Sequence, residues 1–431
     1  METKKLTLGL AGYGVVGTGL AKALDEGKEL IRARTGRDIA IKTVLVRDVN
    51  KKRDYPLPEG AALTADRATL LDDPEIDVIV ELMGGTTTAH EVLHAALSAG
   101  KHVVTANKAL LAENGRDLFY LAGSNNLHIG FEASVAGGIP IVHTLKEGLA
   151  ANRILSISGI LNGTCNYILT EMTTKGLPFA TALKEAQDLG FAEADPTLDI
   201  EGFDAAHKLV ILIRLAWGVE YPYAHMPVQG ISGVTPVDIG FARELGYRIK
   251  LLGHARMTEK GLEAGVFPTL LHESFLLSSV AGAYNAIRVK GNASRSVFLH
   301  GRGAGGTPTG SAVLSDILDI ARGAAPNNTG FLAQAPRRAD ILDPDAAEDP
   351  YYFRLQVPDH PGVLRDVAGA LAENSISIAH AIQKGQDPDI VPLVFMTHTA
   401  SAKSVKNALK MLKNLDLLRA EPVCFRVLAP E

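Results

Sequence analysis

The sequence predicts an α/β protein: a doubly wound parallel sheet first, a mixed α+β domain next, and a small βαββαβ unit last. Three observations carry this. Residues 6–11 form an apolar run that leads through glycines into a helix at about Val15. Strand-like runs at 39–46, 78–82 and 102–105 then alternate with helical patterns such as 90–99, the sequence form of a parallel sheet covered on both faces. Residues 351–431 read strand 352–357, helix 362–373, strands 376–383 and 391–397, helix 402–413 and strand 423–428.

A chain of 431 residues exceeds what one core ordinarily supports, so several domains are expected. Residues 127–131 continue the first sheet, and the first domain spans 1–139. From Pro140 the pattern changes to strand 154–162, helices 167–174, 180–189 and 203–217, and strand-like runs 261–270, 279–289 and 296–300. This is the α+β domain, 140–322. Its glycine run 301–306 opens a helix, 308–322, that is expected to pack back onto the first domain. Residues 323–350, rich in Ala, Pro, Asp and Asn, read as a linker. The last unit, 351–431, has the ferredoxin-like order and carries none of the chemical motifs below, so a chain ending near Asp349 is expected to fold and stay active.

Composition excludes several classes. With 46% hydrophobic residues, 21% charged and a net charge of −5, the chain has no broad basic field, so no nucleic-acid partner is expected. Cys165 and Cys424 offer neither a disulfide framework nor a zinc spacing. The most apolar run, 209–217, is short and broken by Arg214, so no membrane span is expected. Residues 1–5 lead into a strand without the apolar region of a signal peptide. A cytoplasmic location is the expectation.

Gly12-Tyr13-Gly14-Val15-Val16-Gly17 is a G-x-G-x-x-G run between a strand and a helix. Gly12 permits the tight turn, Gly14 the approach of a pyrophosphate, and Gly17 close helix–strand packing. The N–H groups at Val15 and Val16 open the helix toward the phosphates. This makes the first domain a Rossmann-type dinucleotide site. Asp38 falls at the start of the second strand, the wrong end to meet a ribose. The other end carries Arg47, Asp48, Lys51, Lys52 and Arg53. Arg47 could meet a 2′-phosphate with a forked pair, Asp48 a ribose hydroxyl, or the turn could simply be solvated. The preferred reading is NADP, with NAD accepted. Gly84 and Gly85 end the third strand and Lys108 follows the fourth, all at the sheet edge where ligands approach. Gly303, in the glycine run, is assigned to the cofactor as well.

The densest group of acid/base side chains is Glu193, Asp195, Asp199, Glu201, Asp204 and Lys208. Asp204 and Lys208 are four apart on the predicted helix and share a face. Charges on a helix that continues Leu-Val-Ile-Leu-Ile are more often functional than exposed pairs are. Here the sequence resembles the homoserine dehydrogenases. The resemblance rests on Glu193-Ala194-Asp195-Pro196 with Asp199, Gly202, Asp204 and Lys208, on residues 162–169 (NGTCNYIL) and 132–138 (EASVAGG), and on Gly17 and Asn107-Lys108. It covers residues 1 to about 322 in order.

The resemblance implies hydride transfer from NAD(P)H interconverting L-aspartate 4-semialdehyde and L-homoserine, in threonine, methionine and isoleucine biosynthesis. It implies that Lys208 is the acid/base, that Asp204 orients it, that Glu193 and Asp199 hold the substrate, and that Lys108 contacts substrate near the nicotinamide. An ammonium suits an oxygen that gains charge as hydride arrives, and carboxylates suit an amino acid's amine. It implies a monovalent cation, sodium, on carbonyls of Glu132, Val135, Gly137 and Ile139. The histidines, His207 included, show no metal spacing. Two rivals stand: a Cys165-dependent semialdehyde dehydrogenase and a catalytically inactive amino-acid-sensing protein. The last unit resembles an ACT domain through residues 355–364 (LQVPDHPGVL). That implies an amino-acid effector, threonine, held by Asp359 and the helix start at Gly362, and a homodimer or homotetramer. The stretch 385–389 is the departure that could alter such a pocket.

Overall fold

A computed structural model describes residues 4–53, 55–332, 337–385, 387 and 389–428. The chain forms two compact units: residues 1–157, 206–225 and 285–339 in one, and 158–205, 226–284 and 340–431 in the other.

The first unit is built on six parallel strands, β1 (Lys4–Ala11), β2 (Arg37–Leu45), β3 (Ala62–Thr64), β4 (Val78–Glu81), β5 (His102–Thr105) and β6 (Ile129–Gly130), in the order β3-β2-β1-β4-β5-β6. β1 is buried from Leu6 to Ala11, because helices cover both of its faces. The strand order reverses between β1 and β4, the point where such sheets bind ligands. β6 is shorter than the sequence pattern implied. Asn328 accepts from the Ile129 N–H (2.9 Å) and donates to Leu127 O (3.0 Å), so a side chain replaces the missing ladder.

Helix Gly306–Arg322 lies against helix Val15–Glu26. A Cβ on Gly19 would sit 2.0 Å from Gly306 O, and one on Gly310 2.5 Å from the Gly19 carbonyl carbon, so glycine is required at this crossing. Leu20, Leu24, Val313, Ile317 and Ile320 join Leu8 and Leu10 in one core. The helix Phe203–Trp217 begins in the second unit and continues in the first. There Arg214, 1% exposed, pairs with Glu220 (2.6 Å), donates to Leu111 O (3.0 Å) and stacks over Phe119. The contacts therefore do not follow the boundary expected at 139/140. β7 (Ile154–Ile160) is likewise shared between the units.

The second unit centres on a hairpin of two twelve-residue strands, β8 (Tyr247–Thr258) and β9 (Gly261–His272). The sequence reading missed β8, because Arg248, Lys250 and Arg256 interrupt its apolar pattern. Lys250 is nevertheless 5% exposed, and its ammonium donates to Asn166 Oδ1 (3.0 Å) and to the Val280 carbonyl. Burial pushes it down to about 8. The next strands, β10 (Tyr284–Gly291) and β11 (Arg295–Arg302), belong to the first unit, but for Tyr284.

The C-terminal strands are β12 (Tyr351–Val357), β13 (Ile378–Gln383), β14 (Val391–Thr397) and β15 (Val423–Leu428), with helices Val363–Glu373 and Ala402–Lys413 between them. This is the expected βαββαβ unit, with its own core of Phe353, Leu355, Val367, Phe395 and Leu412. It is not a free-standing tail, however. β15 pairs in parallel with β9 from Thr269↔Arg426 to Leu271↔Leu428, giving the continuous order β8-β9-β15-β12-β14-β13. Arg354, on β12, forms a buried pair with Asp238 (2.6 and 3.2 Å). Asp238 is also the acidic member of the capping box that starts helix Pro236–Glu244. Glu263 and Asp349 share Arg256 and Arg426. The segment expected to be a linker is also pinned, since Leu262 N–H donates to Asp340 O (2.7 Å) and Leu342 N–H to Leu262 O (3.0 Å). A chain ending near Asp349 would leave β9 with an open edge and Glu263 short of one cation.

Candidate active site and cofactor cleft

A cleft of about 970 Å³ opens at the carboxyl end of the parallel sheet, lined among others by Gly12, Gly14, Val15, Arg47, Gly84 and Thr307. Gly12 has φ +100°, and a Cβ there would meet Leu82 O at 2.6 Å. A Cβ on Gly17 would lie 2.7 Å from Gly12 O, so Gly17 serves helix–strand contact, and Val16 packs on the core. Nothing lies within 4 Å of a Cβ on Gly14, so its backbone faces open space. Gly14 also precedes helix Val15–Glu26 without a side-chain cap. The first N–H groups of that helix are thus left for an anion, the arrangement that suits a pyrophosphate.

At the end of β2 the basic turn divides its labour. Arg53 spends its guanidinium on the carbonyls of Lys51 and Asp48. The Asp48 carboxyl accepts from the Asn50 N–H (2.8 Å). Arg47, Lys51 and Lys52 remain exposed on the rim. Asp38 is held by Arg32 (2.7 Å). Gly84 and Gly85 both have φ +74° with open space at the Cβ position. Lys108 is half-buried in the first turn of helix Lys108–Ser124, whose N-cap is Asn107. Gly303 stands apart from the residues lining this cleft: a Cβ on it would lie 2.2 Å from the Asn285 side chain. The glycine there makes room for Asn285, and Gly306 and Thr307 reach the cleft instead.

In the second unit, β7 ends at Ile160 and Asn162 caps helix Gly163–Lys175, its Oδ1 accepting from Cys165 N–H (2.8 Å). The Asn162 amide then donates to Asp199 Oδ1 (2.7 Å) and Asp204 Oδ2 (2.8 Å), and the Thr164 hydroxyl lies 3.2 Å from Asp199 Oδ2. Two carboxylates from the predicted loop and helix are therefore bridged by one amide. Asp204 is 7% exposed, and Lys208, one turn later on helix Phe203–Trp217, is 9% exposed. Glu193 is exposed and its carboxyl makes no hydrogen bond among the described residues, so the structure does not bring it to this pair. Asp195 caps the turn at Thr197 (2.6 and 3.1 Å). His207 is engaged by Glu113 (3.0 Å) and stacked on Tyr223. Sequence reasoning gave Asn162 no role, although a strand end that becomes a helix N-cap was visible there.

The loop 132–139 lies in the first unit and is buried except at Gly138. Ala136 (φ +56°) and Gly137 (φ +51°) are consecutive left-handed residues, and a Cβ on Gly137 would lie 2.6 Å from Gly303 O. The Glu132 carboxyl accepts from the N–H groups of Val142 (2.9 Å) and His143 (2.8 Å) and from the His143 ring. The His143 ring also meets Asp319 (2.6 Å), and these two acids push it up to about 10. Asp316, which accepts from Glu132 N–H (2.9 Å), is pushed up to about 7 by burial. Ile139 O accepts from Ile141 N–H (2.7 Å), whereas the carbonyls of Val135 and Gly137 meet no donor among the described residues. Such neutral oxygens fit a monovalent cation.

Family descriptions match three parts of the chain: "Homoserine dehydrogenase, NAD binding domain" over residues 12–132, "Homoserine dehydrogenase" over 140–318 and "ACT domain" over 351–416. A homoserine dehydrogenase of Neisseria gonorrhoeae is 46% identical over 420 residues, covering 96% of each chain. The chain belongs to the homoserine dehydrogenase family. The crystal structure of a homoserine dehydrogenase from Thiobacillus denitrificans superposes with a TM-score of 0.92 at 43% identity, covering 99% of this chain and 98% of that one. A hyperthermophilic archaeal homoserine dehydrogenase, solved in complex with NADPH, gives 0.63 at 27% identity over 75% of this chain and all of that one. As a homoserine dehydrogenase the chain is an oxidoreductase, interconverting L-aspartate 4-semialdehyde and L-homoserine with a nicotinamide cofactor. The rival nucleophile reading fails on geometry as well: Cys165 is fully buried, and its thiol donates to Asp199 O (3.1 Å). No helix among the described residues is long and apolar enough to cross a membrane.

Proposed function

We propose that Lys208 is the acid/base of this reaction and that Asp204 orients it. The observation that carries the reading is the Asp199–Asn162–Asp204 bridge, buried at Asn162 and Asp204, at the start of the helix that bears Lys208. Reduction of the aldehyde places negative charge on its oxygen; the Lys208 ammonium stabilises that charge and gives the oxygen its proton. In the reverse direction the same amine takes the hydroxyl proton. Asp199 holds the substrate ammonium, Glu193 closes on it from the exposed turn, and Lys108 contacts the substrate. The cofactor, held by the 12–17 turn and by Gly84 and Gly85, supplies or accepts the hydride.

The preferred cofactor is NADP. Asp48 is engaged by its own turn and Arg53 by carbonyls, while Arg47 stays exposed at the cleft; this favours a 2′-phosphate over a ribose hydroxyl. A monovalent cation, sodium by family resemblance, would be held by Val135 and Gly137, with Glu132 and Ile139 beside them, and would stiffen the loop without entering the chemistry. The reaction serves threonine, methionine and isoleucine synthesis in the cytoplasm. The C-terminal unit binds threonine at Asp359 and Gly362 in a homodimer or homotetramer. Gly362 (φ +104°) caps helix Val363–Glu373, and exposed Asp359 accepts from Gln383 (2.8 Å). Gln386 and Pro388, in the departing stretch, lie outside the described residues.

The test is NADPH oxidation with L-aspartate 4-semialdehyde, for the native chain and for Lys208→Ala. Loss of the general acid should lower kcat on the order of 100-fold or more while NADPH binding persists. A variant with native kcat would remove Lys208 from this role.

A further inference from the structure

Glu81 is a fully buried acid with no place in the chemistry above. It ends β4, directly beside Ala11 on β1 and Thr105 on β5, and both Glu81 and Thr105 are fully buried. No cation pairs with it among the described residues. Its partners are donors instead. Oε1 accepts from the N–H groups of Met83 (2.8 Å) and Gly84 (3.3 Å), and Oε2 accepts from the Thr105 hydroxyl (2.7 Å). The Thr105 oxygen accepts in turn from Asn107 N–H (3.0 Å). The Asn107 amide donates to Gly85 O (2.6 Å), and its Oδ1 accepts from Leu110 N–H (3.1 Å), capping the helix whose first residue is Lys108.

The chain of contacts closes on itself: carboxylate to loop 83–85, carboxylate to Thr105, Thr105 to Asn107, and Asn107 back to the same loop. That loop has two consecutive residues at φ +74° and lines the cofactor cleft at Met83 and Gly84. Left-handed residues in open space have no packing of their own to hold them. A buried carboxylate with two oxygens and three donors supplies the missing restraint. A carboxylate buried without a cation is costly unless donors satisfy it, and these three donors do so at the edge of the cofactor cleft.

We propose that Glu81 is a positioning residue, whose buried carboxylate sets, through Thr105 and Asn107, both the glycine loop of the cofactor cleft and the start of the helix that carries Lys108. This rests on the roles assigned above to Gly84, Gly85 and Lys108. It accounts for why β4 and β5, apolar and buried just before their last residues, both end in polar ones.

Three substitutions separate this from a purely structural role. Glu81→Gln keeps size and replaces one acceptor by a donor, which leaves the Thr105 hydroxyl without its acceptor. Thr105→Val removes the link, and Thr105→Ser retains its hydroxyl. Asn107→Asp, at a half-buried position, keeps the cap, replaces the donor to Gly85 by an acceptor and adds a negative charge there. NADPH affinity is read by fluorescence titration, kcat and KM by turnover, and the fold by thermal unfolding. Glu81→Gln, Thr105→Val and Asn107→Asp should each weaken NADPH binding about tenfold, the scale of one hydrogen bond to a charged group, and lower kcat; Thr105→Ser should recover most of the loss. Unchanged NADPH affinity and kcat in folded Asn107→Asp and Glu81→Gln would overturn the proposal, whatever their melting temperatures. The titration needs no substrate, so a native enzyme inactive on aspartate semialdehyde would defeat the reading of the reaction and leave this result standing on its own.

Discussion

Asn162→Ser is the most direct probe of the carboxylate bridge. Serine is as good an N-cap as asparagine, so helix Gly163–Lys175 should keep its start and the protein its stability. The amide that joins Asp199 and Asp204 at 2.7 and 2.8 Å is lost. Each such bond to a charged acceptor is worth about 1.5–3 kcal/mol when buried. Asp204 is buried but Asp199 is half-exposed, so water replaces part of the Asp199 bond and the full loss falls on Asp204. The expected cost is that of about one bond, or roughly 10- to 100-fold in kcat/KM. Initial rates of NADPH oxidation over a range of aspartate semialdehyde, beside a denaturant titration, measure both sides. Asn162→Ala adds a lost cap, about 1 kcal/mol of stability, to the same kinetic defect. If Asn162→Ser keeps native kcat/KM in a stable fold, the bridge does not orient the catalytic groups and the reasoning fails.

Arg47→Ala should weaken NADP binding by roughly 1.5–3 kcal/mol, about 10- to 100-fold, and NAD binding far less; equal losses would show that Arg47 does not read the phosphate. Burial, only partly offset by Arg426 and Arg256, pushes Asp349 up from 3.8 to about 6. Its charged form is therefore disfavoured in the fold. Its contribution to stability is greatest below the unfolded value and falls, by about 3 kcal/mol, as pH rises from about 4 to about 6. The stability difference between the native chain and Asp349→Asn should decline over that interval, and a flat difference argues against a raised Asp349. Threonine should inhibit the full chain, and Asp359→Ala should weaken that inhibition; equal inhibition of both would place the effector elsewhere. A chain ending at Asp349 should be unstable or aggregated, because β9 loses its partner β15; a stable, active truncation would show that this pairing is dispensable.

Elements with a strong period were readable almost to the residue. His102–Thr105, Phe203–Trp217, Val391–Thr397, Ala402–Lys413 and Val423–Leu428 end where the pattern places them. The positions of the glycine turn at 12–17 and of Asp204 and Lys208 on one helix were readable in the same way, since spacing along one element fixes which face is shared. β8 was lost because the ammonium of Lys250 is accommodated in the core only by acceptors such as Asn166, 84 positions away. A local window sees a charge and withdraws the strand.

The same distinction separates the groups proposed to act from the groups proposed to hold them. Asn162 meets its two carboxylates 37 and 42 positions later, and Glu81 meets Thr105 24 positions later. Neither partnership leaves a periodic trace. Arg354 and Asp238 are further apart still, at 116 positions, yet both are buried and each satisfies the other. Removing one member would strand a buried charge, which costs more than the pair itself contributes, so a pair of this kind fixes register more than it adds stability. β12 therefore cannot slide against helix Pro236–Glu244 without leaving Asp238 uncompensated, and the C-terminal segment is committed to one alignment within its unit. An effector bound near Asp359 would act on strands already locked into that alignment, and could shift them only by the difference in its affinity for two whole arrangements of the sheet.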